Sequence, residues 1–315
     1  MHWQRKFFFL MIVATAPMPV YGQAVTPGSP ADSNTASIPN FSGMWAHVSC
    51  CGFEPPLSGP GPVVNKSRLH TGPQAGAGDP YQFVGDYTNP ILKPRAAQVV
   101  KAFGESELSG RPAPTPSNHC WPGGVPFVFW NIGMQMIQQP HQITILYSQD
   151  HEVRHVRMNA SHPAHVMPSW YGDSVGHYEG DALVIDTVGI KVGPLAMVDW
   201  YGTPHTEALH VVERYRMLDY DAAVEAEKRG ERETFRLEVS DAGFSRNPDY
   251  KGKGLQLQFT VEDEGVFTGP WSATMTYRRP LSPLGQWPEM VCADNQNGYF
   301  YGNKAMTPMA DEPDF

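Results

Sequence analysis

Three carboxylates and three imidazoles stand at positions suited to moving protons. Asp186 interrupts the apolar run Ala182–Val188. Read as a strand, residues 207–217 put Glu207, Leu209, Val211, Glu213, Tyr215 and Met217 on one face. Ala208, His210, Val212, Arg214 and Arg216 fall on the other. The first face is the more apolar, so it should point inward and take Glu213, and with it Glu207, into the interior. Burial of a carboxylate is costly without a partner and raises its pKa, which is what a general acid or base needs near neutral pH. The plainer alternative is a structural ion pair with Arg157 or Arg278. Asp186 shares its face with Val184 and Val188 and is placed inside or at a rim; its plain role is a bond to the next turn. His162 and His205 each adjoin a proline in loops, where site residues gather. With His210 they are the candidate proton donors. Glu213 or Asp186 would serve as base, and Arg157 or Arg214 would hold an oxyanion.

Ligand-holding candidates come from two further patterns. Residues 152–158 alternate Val153, His155 and Arg157 with Arg154, Val156 and Met158. An inward His155/Arg157 pair would form a cationic wall for a carboxylate or phenolate; an outward pair would be a solvated face. Trp170, Tyr171, Trp200 and Tyr201 lie in loops flanking the strands, with Trp121, Phe127, Phe129 and Trp130. They would cover a barrel mouth and stack on a ligand, or simply pack the loops.

No zinc-ligand spacing, nucleotide loop, G-x-G-x-x-G, G-x-S-x-G or H-E-x-x-H is present. The expectation is therefore no metal and no organic cofactor. The chain carries a formal charge of −9 and no Lys/Arg cluster, which disfavours nucleic acid and anionic membranes as partners.

The elements that must position these groups are strands. The 315 residues include 30 Gly and 30 Pro, with only 17% charged, a profile of strands and turns rather than helical bundles. From residue 133 strand candidates follow closely: 135–139, 142–148, 152–158, 174–178, 182–188, 207–217, 231–240, 254–262 and 271–279. Short polar breaks between them imply hairpins, and Gly180 in Glu179-Gly180-Asp181 supplies the positive φ of one tight turn. The fold expected is all-β, an antiparallel meander closing into a lipocalin-like β-barrel. One helix is read at 89–103, where Ala96, Val99, Val100 and Phe103 recur at helical spacing. Residues 228–232 read as a charged turn. The domain reading is 41–315 as one barrel, with a loop-rich and helical insertion at about 52–130.

Residues 1–22 read as a secretory signal peptide. Arg5-Lys6 open it, a short apolar run follows, and Val20-Tyr21-Gly22 offers a cleavage site. Residues 23–40 read as a disordered linker. Neither the apolar run nor any later stretch is long enough for a membrane-spanning helix. Export to the periplasm is the expectation.

The stretch 174–189, S-V-G-H-Y-E-G-D-A-L-V-I-D-T-V-G, with H-T-E-A-L-H-V-V-E-R-Y-R at 205–216, resembles an uncharacterised family of exported bacterial β-barrel proteins. Its signature is S-V-G-x-W-E-G-D-T-L-V-V-D-T-x-G followed by H-[ST]-E-A-L-H-V-V-E-R-Y-R. Tyr178 stands for the usual Trp and Ala182 for the usual Thr. Phe41-Ser42-Gly43-Met44-Trp45, Cys120-Trp121-Pro122-Gly123-Gly124-Val125-Pro126, Thr268-Gly269-Pro270-Trp271 and Cys292 also resemble family positions. The resemblance implies a barrel and export but names no activity. A weaker likeness is to lipocalins, whose G-x-W tryptophan packs under an arginine from a late strand; Trp45 with Arg278 or Arg279 would fill those parts.

Four cysteines in an exported chain should be mostly oxidised, and four allow three pairings. Cys120–Cys292 is favoured, stapling the loop after the helix to the C-terminal tail. Cys50-Cys51 would then be a vicinal disulfide or two thiols. The leading expectation is an exported barrel, monomeric or weakly homo-oligomeric, that binds a small hydrophobic or aromatic ligand. The alternative is a cofactor-independent acid/base enzyme (a lyase, hydratase, isomerase or hydrolase) acting on a small molecule in the same cavity. A third possibility is an envelope protein meeting partners through its loops.

Overall fold

Side chains alternate between buried and exposed along the central strands, as a sheet with one covered face requires. The computed structural model describes residues 38–47, 49–50, 52–67, 83–109, 113–149, 152–231, 235–236, 247–280 and 292. They belong to the compact unit Ser37–Phe315. The signal-peptide reading, residues 23–37 of the linker reading, and Cys51 of the vicinal pair lie outside the described residues.

The strands are β1 (Gly43–Ala46), β2 (Ser49–Cys50), β3 (Gly133–Gln138), β4 (Gln142–Tyr147), β5 (Val153–Met158), β6 (Asp173–Glu179), β7 (Ala182–Val188), β8 (His210–Leu218), β9 (Phe235–Arg236), β10 (Gly254–Glu262) and β11 (Trp271–Tyr277). Nine of them form one sheet in the order β1-β3-β4-β5-β6-β7-β8-β10-β11, while β2 pairs with β9. The two ends of the large sheet meet: the Ala46 N–H donates to the Arg278 carbonyl at 2.8 Å, and the Arg278 N–H returns the bond at 2.7 Å. The meander is thus nearly closed into a barrel. Neighbours are antiparallel except β5 and β6, which are parallel. The connection between them, residues 159–172, must cross back along the wall instead of turning as a hairpin.

β6 and β7 are joined through Gly180-Asp181, with Gly180 at φ +60°. A left-handed first central residue matches the strands' twist, and glycine adopts it without strain. At the closing seam, the Arg279 guanidinium lies 3.7 Å from the centre of the Trp45 ring and donates to the carbonyls of Met44 and Ser42. This is the lipocalin-like contact expected for Trp45. Gly43 is required beneath it: its φ is +109°, and a Cβ there would collide with Arg279.

Inward positions are filled. Leu183, Ile185, Val211, Tyr215, Leu255, Leu257, Phe259 and Val261 are fully buried. Phe53, Phe129 and Trp271 set their rings edge-on to Phe259.

Among the described residues there are two α-helices. α1 (Pro94–Leu108) starts later than the sequence pattern implies, because 89–93 instead lies against the β10–β11 connection: Lys93 N–H donates to the Val266 carbonyl and Thr268 N–H to that of Ile91. Val99, assigned to its apolar face, is exposed; Ala96, Val100 and Gly104 are buried. α2 (Tyr220–Gly230) replaces the charged turn read at 228–232 and packs on β10 and β11. Among the described residues no helix is long and apolar enough to cross a membrane. Cys120 and Cys292 are disulfide-bonded, across a sequence separation of 172.

Candidate functional site

The outer wall of the barrel carries a transverse row of ionisable groups drawn from five adjacent strands. Arg157 pairs with Val175 on β6, two residues after Asp173. Val175 pairs with Asp186 on β7, and Asp186 with Val212 on β8, two residues after His210. His210 pairs directly with Glu262 on β10. Side chains two apart on a strand share a face, so Arg157, Asp173, Asp186, His210 and Glu262 all project outward. Asp186 faces out because its neighbours Ile185 and Thr187 are fully buried inside.

His162, from the crossover 159–172, reaches down into this row. Its Nδ1 lies 2.6 Å from Asp173 Oδ2 and its Nε2 2.9 Å from Asp186 Oδ1. Carboxylates only accept, so both bonds form together only when both nitrogens carry hydrogen. Arg157 supports Asp173 from the far side, donating to both oxygens at 2.9 and 2.8 Å. His210 Nε2 lies 3.1 Å from each Asp186 oxygen. Its Nδ1 stands 3.8 Å from Glu262 Oε2, beyond hydrogen-bond range.

The electrostatics follow from these contacts. The hydrogen bond from His210 is the largest influence on Asp186; with His162 it outweighs partial burial and holds the carboxyl below its ordinary pKa. Burial would raise Asp173, but the bonds from His162 and Arg157 prevail and lower it. His210 is raised, chiefly by its bond to Asp186, against a smaller effect of burial. The row is about two-thirds to four-fifths covered at Asp186, His210, His162 and Asp173. His210 also lines an open cleft of about 460 Å³ with Lys93, Glu262, Glu264 and Thr268.

The other candidates are placed elsewhere. Glu213 is inside the barrel, fully buried, and its partner is Arg154 rather than Arg157 or Arg278. The guanidinium is bidentate, NH2 to Oε1 at 2.6 Å and NH1 to Oε2 at 3.0 Å. Tyr215 donates to Oε2 at 2.9 Å, and Arg154 also reaches Ser174 and Thr187. β5 is turned the opposite way from a cationic inner wall: Arg154, Val156 and Met158 point in, while His155 and Arg157 point out. Arg214 faces outward and binds Glu179 at 2.6 Å. Glu207 is exposed in the turn before β8. His205 is buried, and burial lowers its pKa; its Nδ1 donates to the Thr206 carbonyl at 3.1 Å.

The aromatic candidates pack on one another. Trp170 meets Trp121 edge-on at 5.5 Å, with the Lys191 ammonium 5.0 Å above its ring. Trp200 lies among Phe83, Phe127 and Trp130 at 4.8 to 5.3 Å. Tyr171 stacks on Tyr147, and burial together with the nearby Glu152 carboxylate pushes its hydroxyl pKa up. Tyr201 is buried in the core.

Asp173, Glu262 and Arg154 were not singled out from the sequence as site residues. Asp173 and Glu262 sit at strand ends, and only the register brings them into the row. Asp199 was also missed. It is buried, accepts from the N–H groups of Tyr201 and Thr203 at 2.9 and 3.2 Å, and burial pushes its pKa up to about 6. The signal was local: an Asp ahead of Gly202 in a turn.

Among the described residues no group of three or more His, Cys, Asp or Glu side chains is arranged to hold a metal ion. Comparison with protein-family models, with curated proteins and with solved structures finds no match in any of the three.

Proposed function

We propose that the protein is an acid/base enzyme acting on a small molecule at the outer wall of its barrel, with His210 as the proton-transfer group. The observation that carries this is the position of Asp186, which accepts from His210 Nε2 at 3.1 Å and from His162 Nε2 at 2.9 Å. A carboxylate bound to one imidazole nitrogen fixes the ring's orientation and tautomer and strengthens the other nitrogen as a base. With Nε2–H given to Asp186, His210 Nδ1 is the exchangeable site, on a side chain that borders the cleft. Asp186, His162 and Asp173 are positioning residues in this reading. The reaction class is proton transfer to or from carbon or oxygen, as in elimination, hydration, isomerisation or hydrolysis, without an organic cofactor.

The inward positions of the barrel are occupied by Arg154–Glu213 and packed rings, which favours the outer cleft over carriage in the interior. The Cys120–Cys292 disulfide supports a working compartment that is oxidising, in keeping with export to the periplasm. We take the resemblance to exported bacterial barrel proteins, and a monomeric or weakly associating state, as part of the same proposal.

The test is turnover. The purified protein is incubated with a periplasmic metabolite extract and small-molecule consumption is followed by mass spectrometry. His210→Gln should slow consumption by about 10²–10⁴-fold, the usual contribution of a positioned acid/base group. Consumption by His210→Gln at the parental rate would overturn the assignment.

A further inference from the structure

The cleft at His210 does not end at its polar wall. A second cleft, of about 530 Å³, shares Thr268, Gly269 and Pro270 with it. The shared residues form the run into β11. They are held by the segment that precedes α1: Leu92 bridges Phe267, Thr268 N–H donates to the Ile91 carbonyl at 2.8 Å, and Thr268 Oγ1 donates to Pro90 at 3.1 Å. Each cleft is of the size usual for small-molecule sites.

Their linings differ in kind. The second cleft is walled by Pro60, Gly61, Pro90, Ile91 and Pro270, with no charged side chain among the described residues that line it. The first carries Glu262, Asp263, Glu264, Lys93 and His210. Asp263 is already used: Thr206 N–H and Oγ1–H and the Gly265 N–H all donate to it. The Lys93 ammonium is turned onto the Glu264 carbonyl. The carboxylates of Glu262 and Glu264 are exposed on the cleft that His210 also lines, and with Asp263 they outnumber the Lys93 ammonium, which keeps its charge on the neutral carbonyl. An anionic head placed there would face two carboxylates, whereas an ammonium would complement them.

Resting on the reading of His210 as the reacting group, we infer that the substrate is an elongated amphipathic amine. Its cationic head lies beside His210, Glu262 and Glu264. Its apolar tail crosses Thr268–Pro270 into the second cleft.

Gly269 provides the test. A Cβ built there meets nothing within 4 Å, and its backbone is not left-handed. Gly269→Phe therefore adds bulk at the junction of the two clefts from a Cβ that meets no neighbour. Binding of decylamine, butylamine and decanoate to the full chain is measured by calorimetry, each below its micelle concentration. Decylammonium should bind at least about tenfold more tightly than the other two, since tail burial and head charge both contribute. Gly269→Phe should remove the advantage of decyl over butyl while leaving the melting temperature unchanged. Glu262→Gln with Glu264→Gln should remove the advantage of amine over carboxylate. Equal binding of decylammonium and butylammonium, equal binding of decanoate, or a preference for decyl that survives Gly269→Phe would each overturn the inference. His210→Gln separates the two proposals: decylammonium binding should survive in it even where turnover is lost. If the binding preferences hold and the parent turns over no long-chain amine, the groove stands and the catalytic reading falls.

Discussion

At the scale of single residues, two carboxylates with similar sequence surroundings have opposite situations. Asp186 and Glu213 both interrupt apolar strands, yet one faces out to imidazoles and the other is sealed against a guanidinium. The alternation on β8 made Glu213's inward direction legible, because Val211 and Tyr215 share its face. The direction of β5 was not legible. Arg154, Val156 and Met158 form the more apolar face, with two apolar side chains against one beside His155 and Arg157, but turning that face inward buries Arg154, so local pattern alone leaves the direction open. What decides is Glu213, 59 residues further on, which needs a buried cation. Removing one partner leaves the other charged and unpaired in the core. Glu213→Leu alone should therefore cost about 3–5 kcal/mol of stability, and Arg154→Met with Glu213→Leu should cost less than that single change. Urea unfolding of the variants measures both, and a double variant weaker than the single would contradict the pairing. Asp186→Asn has a different signature. His210 loses the carboxylate charge that raises its pKa, so its ring should titrate at lower pH by NMR, while unfolding changes only modestly.

The outer row acts as an element, since its charges are supplied by consecutive strands and one crossover. Its contribution to stability depends on pH in a direction set by the shifts. Asp186 and Asp173 are lowered in the folded state, so their contribution is present above about pH 3.8, the unfolded carboxyl value, and is lost as pH falls through the lower folded values. His210 is raised, so its contribution is complete below about pH 6.5 and is lost as pH rises through the folded value. The stability difference between parent and Asp186→Asn should therefore be greatest between about pH 4 and 6.5 and shrink on either side. Thermal unfolding across that range checks it; a difference independent of pH would remove the row from the account. Other elements were legible to different degrees. β7 and β10 were bounded correctly because turn residues flank an apolar run in the first and continuous alternation in the second. α2 was missed because its buried stripe is only Ala223, Ala226 and Glu227, too weakly apolar to show a helical period. The parallel pairing of β5 and β6 was missed because nothing in 159–172 states which way the chain returns. That return is what delivers His162 to Asp173 and Asp186, so the centre of the candidate site depends on the least legible connection in the fold.

For the molecule as a whole, the chain is tied together by two devices that a strand pattern alone does not supply. The first is the seam, where Ala46 and Arg278 join the sheet's ends and Arg279 covers Trp45. G-x-W marked one side of this contact in the sequence, but not which late arginine completes it. Arg279→Ala should loosen the seam and lower stability by about 1–3 kcal/mol, from the lost ring contact and two carbonyl bonds. Hydrogen exchange at the amides of Ala46 and Arg278 should quicken with it, and unchanged protection there would place closure elsewhere.

The second device is the Cys120–Cys292 disulfide, which returns the chain to itself after 172 residues and ties residue 292 beside the loop that covers Glu152 through the Gly123 N–H. Most of the barrel lies between the two cysteines, so the link restricts the unfolded chain as a whole rather than one hairpin. A closed loop of that length corresponds to roughly 5 kcal/mol by chain entropy, and native bridges typically contribute about 2–5 when removed. Cys120→Ser with Cys292→Ser should lower the urea midpoint accordingly and steepen the slope of unfolding, because the unlinked denatured chain is less compact and exposes more surface. The His210 titration should be unaffected, since the outer row draws no group from either cysteine loop. A double variant as stable as the parent under oxidising conditions would show that the seam alone ties the chain together.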